Sequence, residues 1–172
     1  MNIPMLGPLR PNQHIPEWLE SEPVEIPFFD GVKLPVTLET TDPADEEEIN
    51  AALNSFLSLR PADRLSISRY IFENYVNMVE LVGDEYDLDC HIGSEEEVWQ
   101  HLRPGEIYVS RRNRRDRAIY ISIAANCDWE PEHGLQIVYR RGKELARVSD
   151  QDGHLTHTDA YALPEDQDKI VS

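Results

Sequence analysis

Between Glu106 and Ser149 the chain alternates apolar and polar residues in four short runs, and few folds satisfy that pattern. Ile107 and Val109 alternate with Tyr108 and Ser110. Ile119, Ile121 and Ile123 alternate with Tyr120 and Ser122, and Leu135, Ile137 and Tyr139 repeat the spacing. Successive side chains of a strand point to opposite faces, so a period of two marks a strand with one face on a core. Asn113 to Asp116 is a polar turn between the first two runs, which makes them a hairpin. Arg141-Gly142-Lys143 is a second tight turn, because glycine tolerates positive φ. Leu145 and Val148 lie in the fourth run at an odd spacing that leaves its register open. The pattern predicts an antiparallel β-meander with Ile119, Ile121, Ile123, Leu135 and Ile137 in the core.

The residues before it predict helices. Asp42 can cap a helix that has Pro43 in its first turn, and Asp45 to Glu48 suit the positive end of its dipole. Ile49, Leu53, Phe56 and Leu57 form its apolar stripe. Pro61 opens a second helix running to about Val82, with Leu65, Phe72, Val76 and Val79 among its core residues and Gly83 as cap. Ser94 and Glu97 match a capping box, so a third helix carries Val98, Trp99 and Leu102 and stops at Pro104-Gly105. Asp30-Gly31 predicts a hairpin between Val24–Phe28 and Val32–Thr40, at an edge or irregular because Pro27 and Pro35 lack a donor. The expected class is α+β, with about three helices packed on one face of the meander.

Three segments follow from this: a proline-rich N-terminal arm (1–23), a single α+β domain (24–160) and an acidic C-terminal tail (161–172) whose last residues fray. Trp18 and Leu19 would pin the arm. A chain of 172 residues, 40% hydrophobic and 28% charged, can bury one sizeable core. No apolar run reaches the ~18–20 residues of a membrane span, and no secretory signal is visible. Cys90 and Cys127, in no CxxC spacing, fit a reducing compartment, so the expected localisation is cytoplasmic.

The net charge of −17 is unevenly distributed. Residues 1–105 hold 6 basic and 21 acidic side chains, residues 106–149 hold 9 and 6, and residues 150–172 hold 1 and 6. Such a chain repels nucleic acid and anionic membranes and attracts basic proteins. Acidity also simply aids solubility.

Four constellations can carry chemistry. Asp128, Glu130, Glu132 and His133 could bind a cation or work as an acid–base pair, yet alternation sends neighbouring side chains opposite ways. A solvated turn with Trp129 packing locally explains the same residues. His154 and His157 could bind zinc only if a third ligand such as His133 joined them. No metal or other cofactor is therefore expected. Asp87, Asp89 and His91 begin like a calcium loop, but Ile92 replaces its glycine and Val98 its final glutamate. Arg111, Arg112, Arg114, Arg115 and Arg117 could clamp phosphates. With no aromatic platform beside them, pairing with the chain's own acids is the favoured account. Neither cysteine is marked for activation; carboxylates near Cys127 would raise its pKa.

From Cys127 to Tyr139, then the Arg141-Gly142 turn and Arg147-Val148-Ser149, the chain resembles a bacterial domain family of unknown function. Its members share a D-W-x-x-E-H-G-L-x-[IV] segment between two strands. The resemblance runs from the Phe28–Gly31 hairpin through Asp152-Gly153 and implies a small cytoplasmic α+β protein with no established activity. Two functions compete. One is a non-catalytic binding protein, immunity- or antitoxin-like, that meets a basic protein partner through its acidic surface, with Asp128, Trp129, Glu130, Glu132 and His133 as its contact loop. The other is a metal-dependent enzyme using residues 128–133 with His154 and His157.

Overall fold

The computed structural model describes residues 1–83 and 90–171. Asp87 and Asp89 of the rejected calcium loop lie outside them. The four alternating runs are strands β6 (Leu102–Arg111), β7 (Ile119–Cys127), β8 (Glu130–Arg140) and β9 (Glu144–Ser149). They pair antiparallel in sequence order, as the alternation requires. Ile119, Ile121, Ile123, Leu135 and Ile137 are each at most 1% exposed. The odd spacing in β9 has a local cause. Val138 pairs with Arg147 and Tyr139 with Leu145, so Ala146 is an extra residue in a bulge. The bulge turns Leu145 and Val148 to the same core, which a regular strand could not do.

The sheet extends further than the meander. Its seven strands run β1-β2-β5-β6-β7-β8-β9, where β1 is Leu9–Pro11, β2 Leu19–Ser21 and β5 Val36–Leu38. The prolines of the first 23 residues predict little regular structure, yet β1 and β2 pair there and β2 pairs with β5. Three residues per strand are enough when β5 offers an open edge. Ile3 and Leu6, each 2% exposed, bind this segment into the core. The expected 24–40 hairpin is split. Strands β3 (Val24–Ile26) and β4 (Val32–Leu34) form a separate ribbon across Asp30-Gly31, both at positive φ. Beyond Pro35 the chain crosses to the main sheet, where β5 runs parallel to β6 between two neighbours. A residue without a donor sits at the crossing, where no ladder bond is lost.

One face of the sheet carries the helices. Asp42 accepts from the Ala44 N–H at 2.9 Å, a short 3-10 turn follows at Pro43–Asp45, and α1 spans Glu46–Ser58 with Ile49, Leu53 and Phe56 fully buried. Pro61 opens a 3-10 segment to Ser66, and α2 begins only at Ser68, ending at Val82. That phase change corrects two expected core residues. The buried stripe passes through Ile71, Asn74 and Tyr75, so Leu65 (67% exposed) and Val79 (38%) face solvent. The third helix is one 3-10 stretch, Glu97–His101. There the Glu97 carboxylate accepts from the Gly93 N–H instead of closing a box with the Ser94 side chain. Pro104-Gly105 lies inside β6, at a register shift that accommodates the missing donor.

The tail closes the opposite face. Ala118, Tyr120 and Val138 are buried there, with Ala146 and Leu155 against them. Thr156 caps α3 (His157–Ala160), Thr158 is fully buried, and Val171 forms a parallel bridge to Val148 at 6% exposure. The expected fraying gives way to a strap across the sheet. No described helix is long and apolar enough to cross a membrane.

Candidate functional site

The acidic turn joins β7 to β8. Trp129 is 1% exposed, its indole N–H donates to Asn74 Oδ1 on α2 at 2.9 Å, and its ring meets Tyr75 edge-on at 6.0 Å. It is an anchor between sheet and helix, and its burial removes it from any contact surface. Asp128 faces Arg103 and accepts from His101 Nδ1 at 2.9 Å; the Arg103 guanidinium, then His101, hold its carboxyl below the usual range. Glu130 turns back on its own strand and accepts from the N–H groups of Glu132 and His133 at 3.0 and 3.2 Å. Glu132 and His133 remain exposed. Gly134 sits at φ +67°, where a Cβ would lie 2.5 Å from the Ala125 carbonyl, so glycine is required for re-entry to the sheet. Burial pushes the Cys127 thiol up to about 12, leaving it protonated.

The histidines do not assemble a ligand set. His154 is exposed, while His157 is 8% exposed and its ring lies tilted against Tyr161 at 4.6 Å. Burial lowers the His157 pKa and disfavours its charged form. Among the described residues no group of three or more His, Cys, Asp or Glu could hold a metal ion. His133, His154 and His157 are thus not brought together.

The arginines of the β6–β7 hairpin find partners within the chain. Arg111 pairs with Asp45 at 2.8 Å and Glu48 at 3.3 Å. Arg112, 4% exposed, binds both oxygens of Asp159 at 2.7 and 2.9 Å and Glu165 at 2.8 Å. Burial opposes the charge on Arg112, and the two carboxylates outweigh it and raise its pKa. Arg115 reaches the same Glu165, whose pKa is held down to about 2 by Arg112 and then Arg115. Arg147, 1% exposed, makes a two-pronged pair with Asp152, both contacts 2.7 Å. Two buried arginines therefore hold the strap.

Above this face the register sets out a cleft that sequence reasoning missed. Tyr108 and Ser122 are cross-strand partners, as are Ala124 and Gln136. A hollow of about 260 Å³ lies over them, walled by Trp18, Glu39 and Leu155. A separate cleft of about 580 Å³, which shares Glu39, Ser110, Gly153 and Leu155 with it, is lined by Arg112, Arg114 and Arg115. Glu39 accepts from the Ser110 hydroxyl. Burial raises its pKa, the Ser110 bond opposes the rise, and Glu106 adds to it. A perturbed carboxyl in a cleft is a functional-site signature. The only sequence signal was the polar set Tyr108, Ser110 and Ser122 on the face turned from the core. Nothing local showed that residues 18 and 39 would flank it.

The family described as a domain of unknown function, DUF6985, matches residues 5–155. No curated protein and no solved structure matches the chain.

Proposed function

The chain belongs to the DUF6985 family, a domain of unknown function, and we propose that it is a non-catalytic binding protein whose acidic surface meets a basic protein partner. The observation that carries this reading is the internal pairing of the arginines. Arg111, Arg112, Arg115 and Arg147 are engaged by acids of their own chain. The surplus of 33 acidic over 16 basic side chains is therefore left facing solvent, for example at Glu47, Glu73, Glu95, Glu96 and Glu132. A field of one sign steers an oppositely charged partner and repels nucleic acid and anionic lipid.

The acidic turn enters this reading in reduced form. Glu132 and His133 are its exposed members, Asp128 and Glu130 being committed to their neighbours. An immunity- or antitoxin-like role, in a bacterial cytoplasm, suits a small acidic domain whose two cysteines stand in no CxxC spacing. The test uses the 172-residue chain as bait in a lysate at low salt. Retained proteins should carry net positive charge and be released as salt rises, because exposed charges are screened over about 8 Å at physiological ionic strength. Retention of acidic proteins, or binding indifferent to salt, contradicts the proposal.

A further inference from the structure

The hollow over β6 and β7 has a chemistry of its own. Trp18 and Tyr108 form an edge-to-face pair at 6.4 Å on one side of it. Glu39 stands beside them, carried past the end of β5 by its N–H bond to the Val109 carbonyl at 2.9 Å. Across the β6–β7 pair lies Ser122, 8% exposed and lining the hollow, with no hydrogen-bond partner among the described residues. That hydroxyl is available to a ligand in the hollow, as donor or as acceptor. The neighbouring polar groups are spent on one another. Gln136 donates to Ser149 and Asp152, and Gln151 to the Ala125 carbonyl.

The geometry points to this hollow as a receptor for a primary alkylammonium group on a short apolar stem. The ammonium's N–H donors meet the Glu39 carboxylate and the Ser122 hydroxyl, while the stem lies along Trp18, Tyr108 and Leu155. An aromatic ring attracts a cation through its quadrupole, most strongly when water is excluded. An anion is disfavoured here, because the Glu39 carboxyl lines the hollow, its charged form already opposed by burial and then by Glu106. Size narrows the ligand further. The volume of about 260 Å³ lies below the roughly 300–1,000 Å³ typical of clefts for whole drug-sized molecules. It suits a single lysine-like chain. This inference is independent of the partner reading above, since the amine can be free or borne by a polypeptide.

The experiment is a calorimetric titration of the folded chain with 1,5-diaminopentane, with an acetylated and amidated lysine, and with the uncharged norleucine analogue. Trp18 fluorescence gives a second readout. Saturable binding of either amine, with norleucine at least about tenfold weaker, supports the proposal; tenfold corresponds to about 1.4 kcal/mol, near the value of a hydrogen bond to a charged group. Preference for the diamine identifies a free ligand, and preference for the capped lysine identifies a polypeptide source. Glu39→Gln should weaken the amine about tenfold or more while thermal unfolding stays cooperative, and Ser122→Ala should weaken it less. Equal affinity for norleucine, no saturable binding by either amine, or wild-type affinity in a folded Glu39→Gln variant would overturn it.

Discussion

At the scale of single residues, the decisive positions are those whose surroundings differ from their immediate sequence. Trp129 sits among three carboxylates in the chain yet is enclosed by Asn74 and Tyr75. A hot-spot residue type in an acidic loop therefore proved to be packing, and only the contact from α2 reveals it. The period-two residues were legible because their burial needs no distant partner to predict it. Ile121→Ala should destabilise by about 2–5 kcal/mol in denaturant unfolding, the range for truncating a well-buried aliphatic; a change within error would mean that Ile121 is not in a close-packed core. The Cys127 thiol, protonated with a pKa near 12, should resist iodoacetamide at pH 8 in the folded protein and label once unfolded. Rapid labelling of the native chain, read by mass spectrometry, would contradict its enclosure. Glu130 and Glu132 should separate: Glu132→Ala should move stability by no more than ~0.5 kcal/mol. Glu130→Ala should cost more, because two backbone N–H groups lose their acceptor.

At the scale of elements, the meander strands and their antiparallel pairing were readable from alternation, whereas β1, β2 and the phase of α2 were not. The 3-10 segment from Pro61 to Ser66 shifted the register of α2 and exposed Leu65. The β9 bulge is invisible in sequence until Tyr139 and Leu145 are seen to pair. The strap was the largest omission, since a polar acidic stretch has no apolar period. What fixes it is charge at long sequence separation, Arg112 to Asp159 and Glu165, and Arg147 to Asp152. Arg112→Met should destabilise by about 3 kcal/mol, the low end for breaking a buried pair, because the freed carboxylates can rehydrate. The pH dependence has a definite sign. Asp152, Asp159 and Glu165 have depressed pKa values in the fold, Glu165 near 2 against an ordinary 4.5. Their contribution is complete above the unfolded values and is lost as pH falls through the folded ones. Unfolding free energy should therefore fall between about pH 4.5 and pH 2 in the wild type, and fall less steeply in Arg112→Met. Parallel acid limbs in the two proteins would show that the strap is not held this way.

At the scale of the whole molecule, a mostly antiparallel sheet carries helices on one face and an ion-paired strap on the other. The strap gathers arginine into internal pairs and leaves the acid outside. The uneven charge was plain in the sequence, but which charges cancel was not, because Arg111 and Asp45 stand far apart in the chain. The cleft was illegible for the same reason: Trp18, Glu39 and Ser122 come from three separate stretches. The account stands or falls on the acidic surface as a steering field. Its most direct test is the association rate with a retained partner, measured by stopped flow across a salt series. Steered encounters slow steeply as ionic strength rises, so the rate should drop at least about tenfold between low and high salt while the dissociation rate changes little. An association rate flat across the series would contradict the account.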